Sequence, residues 1–325
     1  MGIAVYRRGM PSPNAPARIR SGVLIWNQYT TWSDMRDIAL EAERLGIDSL
    51  WTWDHLYPIF GDPLGPMLEG YMVLGGWSQV TTRPSLGLMV GANTFRNPGL
   101  VVKQVTTLDH LSGGRAVLGI GAAWFDTEHT AFGIDFGASP GERLDRLDEA
   151  VALMRDMLDG GPATARGEVY HATGVHNVPA PVRDRLPILI GGGGERKTLR
   201  TVARYADAWN LANSTPDEAR HKAAVLHGWC EELGRDPAQI EHTLSLGPIL
   251  IRDEPAEAER VVASMRERNG GMTRPMPAMS GAAWTERCQA YVDAGFSHFV
   301  FHLAPPYDAE TLERFVGEVI PALRA

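Results

Sequence analysis

The stretch from Ser21 to His55, SGVLIWNQYTTWSDMRDIALEAERLGIDSLWTWDH, decides the fold. Ser21–Trp26 is a short β-like run. The apolar residues that follow, Met35, Ile38, Ala39, Ala42 and Leu45, recur at helical spacing and keep one face apolar; Ser33 is placed to cap the start and Gly46 to stop the helix. Ile47–Trp53 is the next strand, and it delivers Asp54-His55 at its end. Strand, amphipathic helix and strand in this order form one βαβ unit.

The same alternation continues. Ser85–Gly91 reads as a third strand, and Asn97-Pro98 opens a helix that runs to Leu111 and stops at Ser112-Gly113-Gly114. Arg115–Ile120 is a fourth strand, followed by the capping box Ser139-Pro140-Gly141-Glu142. Leu186–Ile190 and Asp207–Leu211 are the fifth and sixth, and Thr215-Pro216-Asp217-Glu218 is a second capping box. Thr243–Ile251 and Ser297–Leu303 complete the set, and Asp308 caps a final helix. Eight strand–helix units in a chain of 325 residues match the size of a (β/α)8 barrel. A doubly wound α/β sheet is the competitor. Against it, neither glycine cluster has dinucleotide-binding spacing: Gly191-x-Gly193 meets Arg196 where a third glycine is needed, and Gly119-x-Gly121 meets Trp124. The expected architecture is a flexible segment over 1–20 and one TIM barrel over 21–325, with loop insertions at the strand C-terminal face. Asn269–Gly281, between strand seven and the helix before strand eight, is placed to act as a mobile flap.

Composition bounds the function. A chain that is 44% hydrophobic and 22% charged is an ordinary globular protein. No apolar run approaches the roughly 18 residues of a membrane span. The formal net charge is −8, and the first twenty residues hold Arg7, Arg8, Arg18 and Arg20 with no acid, so the remainder is more acidic still. That argues against a nucleic-acid surface. The tail is broken by Pro11, Pro13 and Pro16 and lacks the apolar core of a secretory signal. Two distant cysteines, Cys230 and Cys288, give no disulfide framework and suit a reducing cytoplasm.

In a barrel of this kind, function sits at the strand C-terminal ends. The first segment of interest is Trp53-Asp54-His55: an imidazole titrating near neutral pH suits proton transfer, though a helix cap with a hydrogen-bonded histidine reads equally well. The second is Val90 to Pro98, where a glycine at a strand end would let a flat ring approach the backbone. The third, Gly119 to Trp124, is followed by Phe125, Glu128 and His129. The fourth is Gly191-Gly192-Gly193-Gly194 leading into Glu195-Arg196-Lys197-Thr198. Backbone N–H groups at a helix start flanked by cations form an anion site; a flexible strand–helix joint is the alternative. His298 and His302 share a strand face without a third ligand, which suits core or cofactor-wall histidines rather than a metal. No Gly-x-Ser-x-Gly elbow is present.

Taken in order, Leu50–His55, Asn93–Pro98, Leu108–Arg115, Leu118–Phe125, Ile190–Thr198 and Tyr205–Asn210 resemble the luciferase-like flavin and deazaflavin oxidoreductase superfamily, in particular its branch using coenzyme F420. The resemblance implies a bacterial-luciferase-like barrel with a tricyclic ring at the mouth. It places a non-proline cis peptide near Met89–Gly91 behind the ring, with Met89, Val90, Gly91, Asn93, Gly121 and Ala122 around it. It makes His55, beside Asp54, the active-site histidine, and Gly191 to Gly194 with Arg196 and Thr198 the phosphate-side loop. Trp26, Ile59, Trp124, Glu128, His129 and His302 are candidates for substrate contact or support. Sugar-phosphate dehydrogenases of the superfamily carry a tryptophan shortly after Asp-His and a glutamate after strand four. Here Ile59 and Trp124 occupy those positions, which weighs against glucose-6-phosphate chemistry. The leading expectation is an F420-dependent oxidoreductase moving a hydride between the deazaflavin C5 and a small organic substrate, with His55 giving or taking a proton. An FMN-dependent two-component monooxygenase and a non-catalytic cofactor-binding barrel are the alternatives. No nucleic-acid or membrane partner is expected, and a homodimer is left open.

Overall fold

Runs such as Val23-Leu24-Ile25 and Ile188-Leu189-Ile190 are buried along their length, the pattern of parallel strands covered on one face by helices and on the other by a barrel core. The structure, a computed structural model, describes residues 18–324. Its barrel strands are β1 (Arg20–Ile25), β2 (Ser49–Thr52), β3 (Ser85–Leu88), β4 (Ala116–Gly121), β5 (Ile188–Gly191), β6 (Ala208–Ala212), β7 (Glu241–Leu246) and β8 (His298–Leu303). They are parallel and hydrogen-bonded in the ring order β3-β2-β1-β8-β7-β6-β5-β4. Leu86 opposite Ala116 closes β3 onto β4. This is the expected (β/α)8 barrel.

The local signals explain most of the helices. In α1 (Trp32–Leu45) Met35, Ile38, Ala39 and Ala42 are buried, and Gly46 stops the helix at φ 90°. The cap is Thr31 rather than Ser33: its hydroxyl accepts from the Asp34 N–H, and Asp34 reaches back in a full capping box. Asn97 caps the helix Pro98–Ser112, and Thr215 with Glu218 forms the second box as expected. At Ser139 only half of the expected box is present, because Glu142 turns to the Ala138 N–H.

Several boundaries differ. Residues 1–17 of the expected flexible segment lie outside the described residues. Arg18 pairs with Asp48 at 3.0 Å, and Arg20 already belongs to β1. The seventh strand ends at Leu246, and after Gly247-Pro248 a separate pair, Leu250–Ile251, bonds to Ala278–Met279. A helix at Pro255–Arg268 and a hairpin, Ala163–Arg166 with His171–Val175, escaped the periodicity reading. The segment Asn269–Gly281 is not a free flap: Met272 and Met276 are buried, and the Asn269 amide donates to Pro305 O at 2.7 Å.

A polar chain ties the base of the barrel. Arg20 pairs with Glu241 at 2.9 Å, Glu241 meets His298 Nδ1 at 3.4 Å, His298 Nε2 meets Ser49 Oγ at 2.8 Å, and Trp51 Nε1 donates to Ser49 Oγ at 2.7 Å. Burial opposes the Glu241 charge, but His298 and Arg20 outweigh it and hold the carboxyl down at about 2. Burial, aided by His227, pushes His242 down from 6.5 to about 4.

Both groups bind protons more readily unfolded than folded, so acid destabilises the barrel. The His242 contribution is complete above pH 6.5 and fades as pH falls toward 4; Glu241 adds a loss between 4.5 and about 2. Thermal unfolding should show the melting temperature falling across the first window, with a shallower fall in His242→Gln. A melting temperature that rises on acidification there would contradict this.

Candidate active site

The end of β2 presents two consecutive polar side chains, and each meets a buried partner. Asp54, 3% exposed, receives both nitrogens of the Arg96 guanidinium at 2.6 and 2.9 Å and the Ala92 N–H at 2.9 Å. Arg96 also donates to Glu69 at 2.7 Å and lies 4.9 Å from the Tyr71 ring centre. Burial pushes the Asp54 carboxyl up, and Arg96 and the Ala92 N–H pull against it. Asp54, a candidate for the chemistry beside His55, has oxygens that fasten β2 to the loop after β3. Nothing in the stretch Asn93–Pro98 marks Arg96 as the partner of Asp54.

His55 faces the other way. Its Nδ1 lies 2.9 Å from Glu128 Oε1, and Glu128 Oε2 accepts the Leu56 N–H at 2.8 Å. Glu128 is 1% exposed, in the helix Asp126–Phe132 that follows β4. An ionised carboxylate only accepts, so Nδ1 carries the proton and Nε2 is left as the free nitrogen. His129 is also buried but is used internally: Nδ1 donates to Phe125 O at 2.7 Å, and Nε2 meets Thr94 Oγ1 at 2.6 Å. The sequence did not indicate that Glu128 would be buried against His55. A glutamate beside two aromatics in the loop after strand four was the available signal.

Aromatic rings line the mouth around His55. Trp26 and Trp53 have centroids 4.6 Å apart, Phe60 stacks on Trp26 at 5.0 Å, and Trp53 is 6.2 Å from His55. Trp124, 62% exposed, stands edge-on to His55 at 5.6 Å. Gln28 fixes the loop opposite, accepting from Ile59 N and donating to Phe60 O, both at 3.1 Å. His302 is buried beside Trp26, and burial with the nearby Arg274 charge pushes it down to about 3. Trp26 Nε1, His302 Nε2 and Asn93 Oδ1 are buried and have no hydrogen-bond partner among the described residues.

The Met89–Val90 peptide is cis. Met89 Sδ accepts from Ser245 Oγ inside the barrel at 3.0 Å, and Val90 lies against two glycines. A Cβ on Gly121 would meet Val90 Cγ2 at 2.8 Å, and one on Gly191 would meet the Val90 methyls at 3.0 Å. A Cβ on Gly91 would meet Gly119 O at 2.9 Å. Val90 therefore already crowds Gly121 and Gly191, and the Gly119 carbonyl crowds Gly91, before any ring is considered. Ala122 follows on the partly exposed rim, and the Asn93 N–H donates to Gly121 O at 3.0 Å.

Beyond β5, Gly192 has φ 125° and donates to Asn210 O at 3.0 Å. Among the described residues, the N–H groups of Gly193, Gly194 and Arg196 have no protein acceptor. Thr198 is buried at the start of the helix Thr198–Tyr205. Lys197 is taken by Asp145 at 2.6 Å, so Arg196, exposed and without an ion pair among the described residues, is the cation free to meet an anion. No group of three metal-binding side chains converges among the described residues, and none of their helices is long and apolar enough to cross a membrane.

The family described as luciferase-like monooxygenase matches residues 11–296. The F420-dependent glucose-6-phosphate dehydrogenase of Kineococcus radiotolerans is 30% identical over 322 residues, covering 89% of this chain and 93% of that protein. The structure of an F420-dependent secondary alcohol dehydrogenase in complex with an F420-acetone adduct has a TM-score of 0.80 at 23% identity, covering 95% of this chain and 100% of that one. A long-chain alkane monooxygenase has a TM-score of 0.76 at 14% identity, covering 94% and 90%. At those identities the two structures speak for the fold.

The two arginines of the site should respond differently to removal. Arg96→Leu leaves the buried Asp54 carboxylate without its partner and should cost about 3–5 kcal/mol of folding stability. Arg196→Ala should stay within about 0.5 kcal/mol of the parent. Denaturant unfolding measures both, and equal losses would contradict the assignment.

Proposed function

The chain belongs to the luciferase-like monooxygenase family, and we propose that within it the chain is an F420-dependent oxidoreductase acting on a small organic substrate, with His55 as the proton-transfer group. The observation that carries this reading is the His55–Glu128 pair at the barrel mouth, in a chain similar along 89% of its length to an F420-dependent dehydrogenase. The residues fit the group. Gly193, Gly194 and Arg196 offer unpaired N–H donors and a free guanidinium for a phosphate, Val90 and Ala122 would back a flat ring, and the unpartnered Asn93 Oδ1 would meet a ring donor. When bound, F420 supplies a ring carbon that gives or accepts a hydride and lacks the easy one-electron reaction with oxygen of a flavin.

The protein's own part is proton handling and positioning. Glu128, held by the Leu56 N–H, keeps the His55 proton on Nδ1 and leaves Nε2 as the acceptor. Nε2 takes the hydroxyl proton of an alcohol being oxidised, or returns it to the oxygen of a carbonyl being reduced. Trp53, Trp26 and Phe60 keep water from the reacting atoms. Ile59 and Trp124 replace the tryptophan and glutamate of the sugar-phosphate enzymes, and the wall they complete is apolar. A hexose would find few partners on it for its hydroxyls, so we place the substrate outside the sugars.

Calorimetric titration with F420 and FMN under identical conditions should give binding of F420 and weaker or no binding of FMN. Tight FMN binding without F420 binding would move the chain to the FMN-dependent monooxygenases. His55→Ala should lose about 10²–10⁴-fold in turnover while its F420 affinity changes little. Arg196→Ala should weaken F420 binding and flatten its salt dependence. F420 binding with no turnover across a broad panel of alcohols, carbonyls and activated alkenes would make the barrel a carrier.

A further inference from the structure

Two grooves run along the outer helices, away from the mouth, and they differ in how their charges are matched. One, of about 340 Å³, is lined by Asp34, Asp37 and Glu41 of α1 together with Arg268. Its acids already have cations: Arg268 meets Asp34 at 3.6 Å, Arg36 meets Asp37 at 2.7 Å, and Arg44 meets Glu41 at 2.5 Å. The other, of about 760 Å³, lies between the helix Gly281–Val292 and the last helix, Ile320–Arg324. Glu286, Asp293 and Glu318 line it, and no cation does. Glu318 is met by Arg314 at 2.8 Å. Asp293 accepts the Gln289 amide at 2.9 Å, and neither it nor Glu286 has an ion pair among the described residues.

Glu286, Ala290 and Asp293 are spaced by four and three residues, so they share one helix face, and like charges along such a face repel. Ala282, Ala290 and Ala322 form the rest of the wall and leave room above it. The groove therefore asks for a narrow, cationic occupant.

The chain carries one. The 17 residues before Arg18 contain Arg7 and Arg8 and no acid. The point where they leave the barrel is fixed: Ile19 O accepts from Arg324 Nε at 2.8 Å, and Arg18 and Arg324 share Asp48 at 3.0 and 3.2 Å. That point lies beside the last helix, two residues from Ala322 of the groove. At about 3.1 Å per residue for an extended proline-rich chain, the steps from Arg18 back to Arg8 span about 31 Å. The helix Gly281–Val292, with 12 residues, is about 18 Å long, so the segment reaches all of it. Pro11, Pro13 and Pro16 fix their own φ, which lowers the entropy lost on docking.

We propose that the segment 1–17 docks in this groove, with Arg7 and Arg8 meeting Glu286 and Asp293 and the proline-rich stretch lying over Ala290 and Ala322. Docked there, it joins the helix before β8 to the last helix. The assignment does not depend on the cofactor.

Disulfide trapping in the full chain tests this, since Cys230 and Cys288 are buried. Met10→Cys with Ala290→Cys should close an intramolecular bond about tenfold or more faster than Met10→Cys with Ala309→Cys, which places the second thiol at the groove of α1. High salt should narrow the difference. Glu286→Lys with Asp293→Lys should remove it, and both positions are exposed, so the barrel tolerates the change. Arg7→Glu with Arg8→Glu should remove it as well, and combining the two reversals should restore it. Equal rates at the two grooves, or a difference indifferent to either reversal, would overturn the proposal. So would a bond that forms only between chains and is lost on dilution, which would assign the segment to a second copy.

Discussion

A carboxylate taken out of water must be met by donors, and at the end of β2 that requirement is imposed twice. Asp54 and Glu128 are both almost fully buried, where an unpaired charge would cost several kcal/mol. Each is satisfied by a group from a distant part of the chain, and the pairing fixes the mouth. Asp54 draws in Arg96 and the Ala92 N–H, which locks the loop after β3 against β2. Glu128 draws in the Leu56 N–H and the His55 ring, which sets the orientation of that ring beside Trp53 and Trp124. Neighbouring residues thus divide the work: Asp54 holds the frame and His55 is held within it.

The rest of the mouth follows from packing. Val90 fills the space left by Gly121 and Gly191 on the two strands beyond it, so the floor is built from side chain against bare backbone. On the β5 side the chain leaves N–H groups without acceptors. Beside β1 and β8 the buried Trp26 Nε1 and His302 Nε2 have no hydrogen-bond partner among the described residues. The unpaired N–H groups on the β5 side suit the phosphate of a long cofactor.

The barrel was legible in the sequence because its signals are local. Apolar periodicity, the Asn97-Pro98 start and the Gly46 and Gly113 stops act within a turn or two, and all eight strands appear, the seventh ending short of its expected bound. The chemistry was only partly legible. His55 and Gly191 to Gly194 stand out by position, but the Glu128 contact spans 73 residues of sequence and the Arg96–Asp54 contact 42. No periodicity encodes such contacts. The glycines misled in an instructive way: a missing Cβ reads the same whether the space is filled by a ligand or by Val90. The proline- and methionine-rich segment over 269–281 read as a flap because the burial of Met272 and Met276 depends on the aromatic cluster of the mouth.

In the proposed mechanism Glu128 holds the His55 proton on Nδ1 and leaves Nε2 bare. Nitrogen-15 NMR of the His55 ring reads this directly. The shifts should report a protonated Nδ1 and an unprotonated, pyridine-like Nε2 at neutral pH, and Glu128→Gln should redistribute the two tautomers. A ring protonated on Nε2 in the parent chain, or a tautomer balance indifferent to Glu128→Gln, would contradict the assignment of His55 as the proton-transfer group.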